Sequence, residues 1–477
     1  MVEEHTQRLG VEPPRDTHWP NRALLQLAAC RRVLMLQGPV GPFFRDLASS
    51  LLKSGVEVDK INFTGGDVRF FPSGHWFRGA LDQFADHLVE HVKAARPDAC
   101  LVFGQDRPVH REARRVLEEL GVPVMVFEEG YVRPNFITFE VGGVNSRSSF
   151  RWPQPTDIAG DGGMGLTPQA PHFRLPFRSV ASLAAQYHLL TKLGAPLYPE
   201  YQHHRPTGVL MEALAWLRSG IIKTWAPRHA EKVVQRLLSS GTPRYFLVPL
   251  QVHNDSQLQH HSGYTTIVSF IEDVLTSFAR HAPSDAHLVI KHHPMNRGHR
   301  DYRGLIRSQV RLLGKDSLKR RVHYLRDGHL PTLLEHASGT VLINSTVGLS
   351  SMFHGTPVKV MGQALYDHPG LTFGGELDDF WSNPGEVDRV QFGCFLNALI
   401  AQTQLPGSFY WPRTRYAGLL DTVEAALGAQ ARAGKGHMLV ASPPTAAAAE
   451  PSAANQNTSP AGVAPEFANN PMSHQTA

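Results

Sequence analysis

Short apolar runs alternate with amphipathic stretches through the first 150 residues. Arg32-Val-Leu-Met-Leu-Gln37 reads as a strand running into Gly38-Pro39-Val40-Gly41-Pro42. Phe43, Leu47 and Leu51 then fall at i, i+4 and i+8, the period of a helix face, and Gly55 supplies the stop. The spacing of this strand, glycine loop and helix falls short of GxGxxG and reads first as a tight turn in an α/β unit. Val56 to Phe63 is a second strand ending in a loop, Thr64-Gly65-Gly66-Asp67, and Leu81 to Ala95 is an amphipathic helix. Cys100-Leu-Val-Phe103 is a third strand, running into Gly104-Gln105-Asp106-Arg107. After a helix through Val116, Val124-Met-Val-Phe127 is a fourth, and Gly130 breaks that run just past Glu128 and Glu129. Strands that alternate with helices predict a parallel sheet, because parallel neighbours need crossover connections.

From Arg151 to about Pro171 proline and glycine crowd together, which marks a loop or domain boundary. Ser179 to Leu238 reads as helices. One, from Val209 onward, carries Trp216, Ile221, Ile222 and Trp225 beside Arg218, Lys223 and Arg228. It reads as a packed helix with solvated basic ends, or as one lying on anionic lipid. A second strand and helix rhythm runs through Tyr245–Gln251, His287–Lys291, Val322–Leu325, Thr340–Ile343 and Val358–Met361, with helices at Thr265–His281 and Leu330–Ala337. The expected fold class is α/β, two Rossmann-like domains facing a cleft. The expected segments are a polar leader (1–30), a first domain (31–150), a linker and helical connection (151–243), a second domain (244–433) and a tail (434–477). The tail is Ala, Pro, Ser, Asn and Thr with almost no charge, a composition that predicts disorder.

A chain of 477 residues is too long for one ordinary core, which agrees with two domains. The formal net charge of +5 fits anionic substrates, lipid headgroups or nucleic acid without choosing among them. Cys30, Cys100 and Cys394 lie far apart with no ligand spacing, so neither a disulfide framework nor a zinc site is expected, and the compartment reads as reducing. Met1 to Asn21 has no apolar core, and no run reaches the 18 or so apolar residues of a spanning helix. A cytosolic protein, at most peripheral to a membrane, is expected.

In the second half, polar residues gather where each strand ends: Gln251-Val-His253-Asn254-Asp255-Ser256, Lys291-His292-His293-Pro294, Asp327-Gly328-His329 and Asn344-Ser345-Thr346. The ends of parallel strands share one edge, so these residues should converge. Lysine, imidazole, hydroxyls and the free amides of a helix opening near Thr346 suit a phosphate. No Asp-x-Asp is present to hold a divalent metal on a diphosphate, so a metal-free monophosphate site is expected. Each piece alone has a plainer reading: a structural His-Pro, an N-cap at Asn-Ser-Thr, surface charge at Glu128 and Glu129. Their joint placement at strand ends favours a site.

Gln37-Gly38-Pro39 with Gly41 and Phe43-Phe44, Ile61-Asn62-Phe63 with Gly66-Asp67, Glu128 to Pro134, and Ile137-Thr138 with Glu140 and Gly143-Val144-Asn145 form an ordered series. It continues through Val248 to Ser256, Lys291 to Pro294, Asn344 to Leu349 and Tyr366-Asp367. Over roughly Val33 to Tyr410 the series resembles the capsule polysaccharide biosynthesis proteins of the KpsS type. The resemblance implies a GT-B-like glycosyltransferase: a retaining β-Kdo transferase that uses CMP-Kdo to add the first Kdo to a (lyso)phosphatidylglycerol acceptor, starting the poly-Kdo linker of a capsular polysaccharide. It implies no cofactor beyond the donor substrate, no metal and no nucleic acid. It further implies a place on the cytoplasmic face of the inner membrane beside other capsule assembly and export proteins. The first domain would take the acceptor and the second the CMP-sugar, and the Trp216 to Trp225 helix is the candidate for membrane contact.

By the same resemblance Glu129 holds the position of the catalytic carboxylate, as nucleophile or base, with Glu128 beside it. His293 lies next to the donor phosphate with Lys291 and Pro294. Asn344, Ser345 and Thr346 contact the CMP, and Gln251, His253 and Asn254 complete the donor side. Gln37, Gly38, Asp67, Gln105, Arg107, Tyr131 and Arg133 are candidates for Kdo or acceptor, and Arg133, Arg107 or Lys291 could pair with the Kdo carboxylate. Two other readings stand beside this one: a non-catalytic accessory that binds a lipid-linked glycan in capsule export, and another GT-B sugar-nucleotide enzyme such as an epimerase or a UDP-sugar transferase.

Overall fold

The apolar runs of the first half assemble, in this computed structural model, into a seven-stranded sheet. The structure describes residues 21–133, 135–153, 177–201, 209–239, 244–252, 263–410, 423 and 425–427. β1 (Arg32–Met35), β2 (Glu57–Asn62), β3 (His75–Trp76), β4 (Ala99–Phe103) and β5 (Val124–Glu129) run parallel, and β6 (Phe136–Val141) runs antiparallel to β5. With a last strand, β12 (Gln404–Pro406), the order is β12-β6-β5-β4-β1-β2-β3. Successive side chains leave a strand on opposite faces. Leu34, Val102 and Val126 therefore pack on one side with Phe84 and Leu88, and Val33, Leu101 and Met125 on the other with Phe43 and Leu47. Burial on both faces is why these strands read as unbroken apolar runs.

The helices follow from the same pattern. The end of the expected polar leader is instead α1 (Arg22–Ala29), which buries Ala23, Leu24 and Leu27; Asn21 caps Leu24 N at 2.9 Å and donates to Phe139 O at 3.1 Å. Residues 1–20 lie outside the described residues. α2 (Phe43–Lys53), α4 (Leu81–Ala95) and α5 (Pro108–Glu119) are crossovers of the first sheet. The expected loop at Thr64 to Asp67 opens a short helix, α3 (Gly65–Phe70), because the Thr64 hydroxyl accepts from Asp67 N at 3.1 Å. Against α3 lies α6 (Phe177–Leu193) from the helical connection; the two approach so closely that a Cβ on Gly65 would collide with the Leu190 carbonyl.

The second half forms an all-parallel sheet in the order β11-β10-β7-β8-β9, built from β7 (Tyr245–Pro249), β8 (His287–Lys291), β9 (Val322–Leu325), β10 (Gly339–Leu342) and β11 (Val358–Val360). One face packs on α8 (Ile267–His281) and α9 (Arg303–Leu312). The other packs on α10 (Leu330–Glu335) and on Ala230, Val233 and Leu237 of α7 (Val209–Ser239). α11 (Val347–Phe353) joins β10 to β11. Two Rossmann-like sheets, as the sequence predicts, thus make up the α/β fold. α7 forms as a helix, but the side chains of Trp216 and Trp225, the candidates for membrane contact, lie outside the described residues, as do the Pro/Gly-rich residues 154–176 and the tail. Among the described residues no helix is long and apolar enough to cross a membrane.

One expectation is corrected. The stretch 244–433 does not all stay with the second sheet, because α12 (Arg389–Thr403) carries the chain back and β12 pairs antiparallel with β6, Leu405 opposite Ile137. Trp152 is stacked on His368 (3.9 Å, 21°) and on Phe395 (4.7 Å, 25°), and Gln402 exchanges two hydrogen bonds with the Arg151 backbone, so both ends of the return are fastened.

Candidate functional site

Neighbouring residues on a strand face opposite ways, so Glu128 and Glu129 leave the end of β5 on different sides. Glu128 turns toward β4: its Oε1 accepts from Glu129 N at 3.2 Å, and Oε2 stands 3.7 Å from where a Gly104 Cβ would be. Burial pushes its carboxyl up to about 7, the Glu129 charge adding to the rise and the Glu129 amide and Arg107 opposing it. Glu129 turns toward the returning chain, and its Oε1 accepts from the Tyr410 hydroxyl at 3.0 Å. Tyr410 is held there by Phe409, which is fully buried against Phe43 and Phe103. Gly130 allows the turn that follows, since a Cβ there would collide with the Phe136 carbonyl.

Arg107 immediately precedes α5, donates to Gly38 O at 3.1 Å and lies over Phe103. Behind it is a closed polar network. Gln37 Nε2 donates to Asp67 Oδ2 (3.1 Å) and to the Tyr187 hydroxyl (3.0 Å), Tyr187 donates to Asp67 Oδ1 (3.1 Å), and Tyr201 donates to Gln37 Oε1 (3.4 Å). Lys60 is buried nearby, donating to Ile61 O at 2.6 Å and Asn62 Oδ1 at 2.8 Å; burial lowers it to about 8, against the pull of Asp67.

Of the polar residues expected at the second sheet's edge, the structure links Gln251 to Asn344 and sets Lys291 within the field of Asp327. Lys291 ends β8, buried and lowered by desolvation, with the Asp327 charge opposing and the Arg297 charge adding. Arg297 pairs with Asp327 at 2.8 Å. His293 opens a short turn, Pro294–Asn296, and its Nδ1 accepts from Met295 N at 3.2 Å. Burial pushes His293 down to about 4, and Lys291, His292 and Arg133 push the same way. Arg133 belongs to the turn after β5 and donates to Gly130 O at 3.1 Å, so its field on His293 marks where the two halves face each other. Gln251 Nε2 donates to Asn344 Oδ1 at 2.8 Å and its Oε1 accepts from Asn344 N at 3.3 Å, tying the ends of β7 and β10. Ser345 Oγ accepts from Val347 N at 3.3 Å, and Thr346 precedes α11. His253 and Asn254 lie outside the described residues.

Gln105 and Tyr131, like Gln37 and Asp67 in the network above, are spent on the framework instead. Gln105 clasps Val144 with both ends of its amide, at 3.0 Å each. The Tyr131 hydroxyl donates to Glu140 Oε1 at 2.8 Å and accepts from Asn145 N at 2.5 Å, and the ring is 5% exposed, so neither group is offered to a ligand. Glu140, itself pushed up to about 7 by burial against the bonds from Ser148 and Tyr131, shares that framework. Tyr410, Tyr187 and Tyr201 enter the site without a sequence signal; Arg297, four residues past His293 and beyond a strand end, could have been found from its position.

The arrangement sets a pair of carboxylates, Glu128 and Glu129, on one side and an edge bearing Lys291, His293 and the Ser345 and Thr346 hydroxyls on the other. Residues 98–410, which contain both, match the family described as Capsule polysaccharide biosynthesis protein. The chain is 38% identical over 391 residues to the capsule polysaccharide export protein KpsS of Escherichia coli, covering 81% of this chain and 99% of that one. It is 37% identical to the capsule polysaccharide modification protein LipB of Neisseria meningitidis serogroup B, over 80% and 93% of the two chains. The solved β-Kdo 2,4 transferase KpsC of Thermosulfurimonas dismutans aligns with 83% of this chain and 98% of its own at 14% identity and a TM-score of 0.38, a likeness too loose to bear on chemistry. A match running from β4 to Tyr410, with relatives aligned along four fifths of the chain, makes this protein a member of the capsule polysaccharide biosynthesis protein family.

Proposed function

We propose that the chain is a retaining β-Kdo transferase that takes Kdo from CMP-Kdo to a (lyso)phosphatidylglycerol acceptor and so starts the poly-Kdo linker of a capsular polysaccharide. The observation that carries the reading is the pairing of Glu128 and Glu129 at the end of β5 with Lys291 and His293 at the end of β8, close enough for Arg133 to act on His293. The Glu129 carboxylate attacks the anomeric carbon, the bond from that carbon to the phosphate oxygen breaks, and CMP leaves with the electron pair. Lys291, His293, Ser345 and Thr346 are preorganised donors for the charge that builds on the phosphate. The acceptor hydroxyl then attacks the same carbon, the bond to Glu129 breaks with return of the carboxylate, and Glu128, poised near 7, takes the hydroxyl proton. Two inversions give retention. Arg107, whose charge acts on Glu128, and Arg133, in the turn after the acids, are the partners for the Kdo carboxylate. The protein works at the inner-membrane surface with the capsule export machinery, and its donor needs no metal. The test is mass spectrometry of lysophosphatidylglycerol after incubation with the protein and CMP-Kdo. A product heavier by one Kdo, absent with Glu129→Gln, is expected; no product together with tighter binding of UDP than of CMP overturns the reading in favour of another sugar-nucleotide enzyme.

A further inference from the structure

We infer that the chain pairs with a second copy of itself by laying α4 of one copy against α9 of the other, acid on arginine. α4 carries Asp82, Asp86 and Glu90, and α9 carries Arg303, Arg307 and Arg311, each set at i, i+4 and i+8. Residues so spaced share one face of a helix and recur about every 6 Å along it, so the two stripes have the same repeat and opposite charge. The apolar faces are already used. Phe84, Leu88 and Val92 of α4 sit in the core of the first sheet, and Ile306 and Val310 of α9 in that of the second. All three acids are exposed, as are Arg307 and Arg311, with Arg303 half-buried.

Neither stripe is neutralised within one copy. Among the described residues none of the six side chains makes an ion pair or a hydrogen bond. The acids near α9 are engaged elsewhere: Asp301 with Arg326 at 3.1 Å, Asp316 with Lys319 at 2.8 Å, and Glu272 of α8 with Gln309 at 2.6 Å. α5 shows the ordinary arrangement of an exposed helix, with Arg115 bridging Glu112 at 2.6 Å and Glu119 at 2.8 Å. Like charges four residues apart repel, so α4 and α9 each retain a cost that a stripe of the other sign removes. Around α9 the imbalance is large. Between Arg297 and Arg321 nine arginines and lysines stand against two aspartates, an excess of seven positive charges where the whole chain has five.

A lipid surface or a nucleic acid would also accept the arginines, but it would leave the acid stripe bare. Neither finds its usual contacts beside α9. Tyr302 is buried, so it offers no aromatic platform for a base, and the apolar face that a lipid-bound helix needs is in the core. Antiparallel packing sets Asp82 against Arg311, Asp86 against Arg307 and Glu90 against Arg303, and it opposes the two helix dipoles. The contact also reaches Leu312, which follows Arg311 and at 76% is the most exposed large apolar side chain among the described residues. Because α4 belongs to the first half and α9 to the second, a two-fold pair makes the contact twice and leaves neither stripe open. This pairing does not depend on the transferase reading, and its test does not use CMP-Kdo.

The test is sedimentation velocity of the full-length protein from about 1 to about 100 µM, in about 50 mM salt and again in about 500 mM. Association is expected at low salt and should weaken about tenfold at high salt, because exposed ion pairs are screened. Asp86→Arg alone and Arg307→Glu alone should each weaken it about tenfold with the unfolding temperature unchanged. Mixing the two single variants, or placing both changes in one chain, should restore it, since each reversed side chain then meets the other. Restoration also shows that both variants are folded at the contact. A protein that stays monomeric at about 100 µM and low salt overturns the inference. So does association that ignores either reversal, or that the combined reversals fail to restore. Arg307-dependent binding of phosphatidylglycerol vesicles by a protein that remains monomeric overturns it in favour of a lipid surface.

Discussion

Replacing Glu128 by glutamine should make the protein more stable at pH 8 and leave it nearly unchanged at pH 5. The Glu128 carboxyl is pushed from its ordinary 4.5 to about 7, chiefly by burial. A rise of that size corresponds to about 3 kcal/mol of penalty on the charged form relative to the unfolded chain. Part of the side chain reaches solvent, so about 1–3 kcal/mol is the expected range. For a carboxyl raised on folding, the native state holds the proton more tightly than the unfolded chain. Its stability is therefore full below about 4.5 and is lost as pH climbs to 7. Glutamine cannot ionise, and its amide oxygen can still accept from Glu129 N, which removes the loss without orphaning that donor. Glu140 gives the same slope with pH, but it is present in both proteins and cancels in the difference. Urea unfolding at pH 5 and pH 8, followed by tryptophan fluorescence, measures the effect as a shift in midpoint. An equal shift at both pH values would refute the reasoning, because Glu128 would then carry the same charge in the native protein throughout.

Tyr410→Phe removes the phenol that donates to Glu129 at 3.0 Å. A hydrogen bond to a charged group is worth about 1.5–3 kcal/mol, so the Kdo transfer proposed above should fall roughly tenfold to a hundredfold, and an unchanged kcat would detach Tyr410 from the chemistry. Gly65→Ala drives a methyl into the Leu190 carbonyl and should cost about 1–3 kcal/mol, seen as faster amide exchange along Phe177–Leu193 by mass spectrometry; unaltered exchange there would mean the helix contact is looser than described. Gln404→Leu takes the acceptor from Tyr131 N (2.9 Å) and the donor from Thr138 Oγ1 (3.0 Å), both buried, and should lower the unfolding midpoint by the equivalent of about 2–4 kcal/mol. A midpoint within error of the wild type would show those groups finding other partners.

The strands most legible in the sequence are those buried on both faces. Val33 to Leu36, Cys100 to Val102 and Val124 to Phe127 are continuous apolar runs because neither side meets water. β6 escapes that reading because Thr138 and Glu140 are buried polar residues whose partners come from elsewhere, Glu129 O for one and Tyr131 and Ser148 for the other. β3 spans two residues and β12 three, one of them proline, too short to carry a period. The acids and His293 could be picked out because they stand where an apolar run stops. Tyr410 could not, since nothing local signals that a side chain 281 residues away closes on Glu129.

The return of the chain through α12 has a consequence for how the protein is made. Until Gln404 has been synthesised, β6 is the outer strand of the first sheet and offers a row of unpaired backbone groups. The first half therefore leaves the ribosome with an open edge that is covered only after some 260 further residues have been translated, and Tyr410 reaches Glu129 later still. A chaperone that shields this edge during translation, or expression of the two halves as one uninterrupted chain, would decide the yield of active protein more than the stability of either half. Ending the gene before β12 should give a product that assembles through its bare edge instead of folding alone.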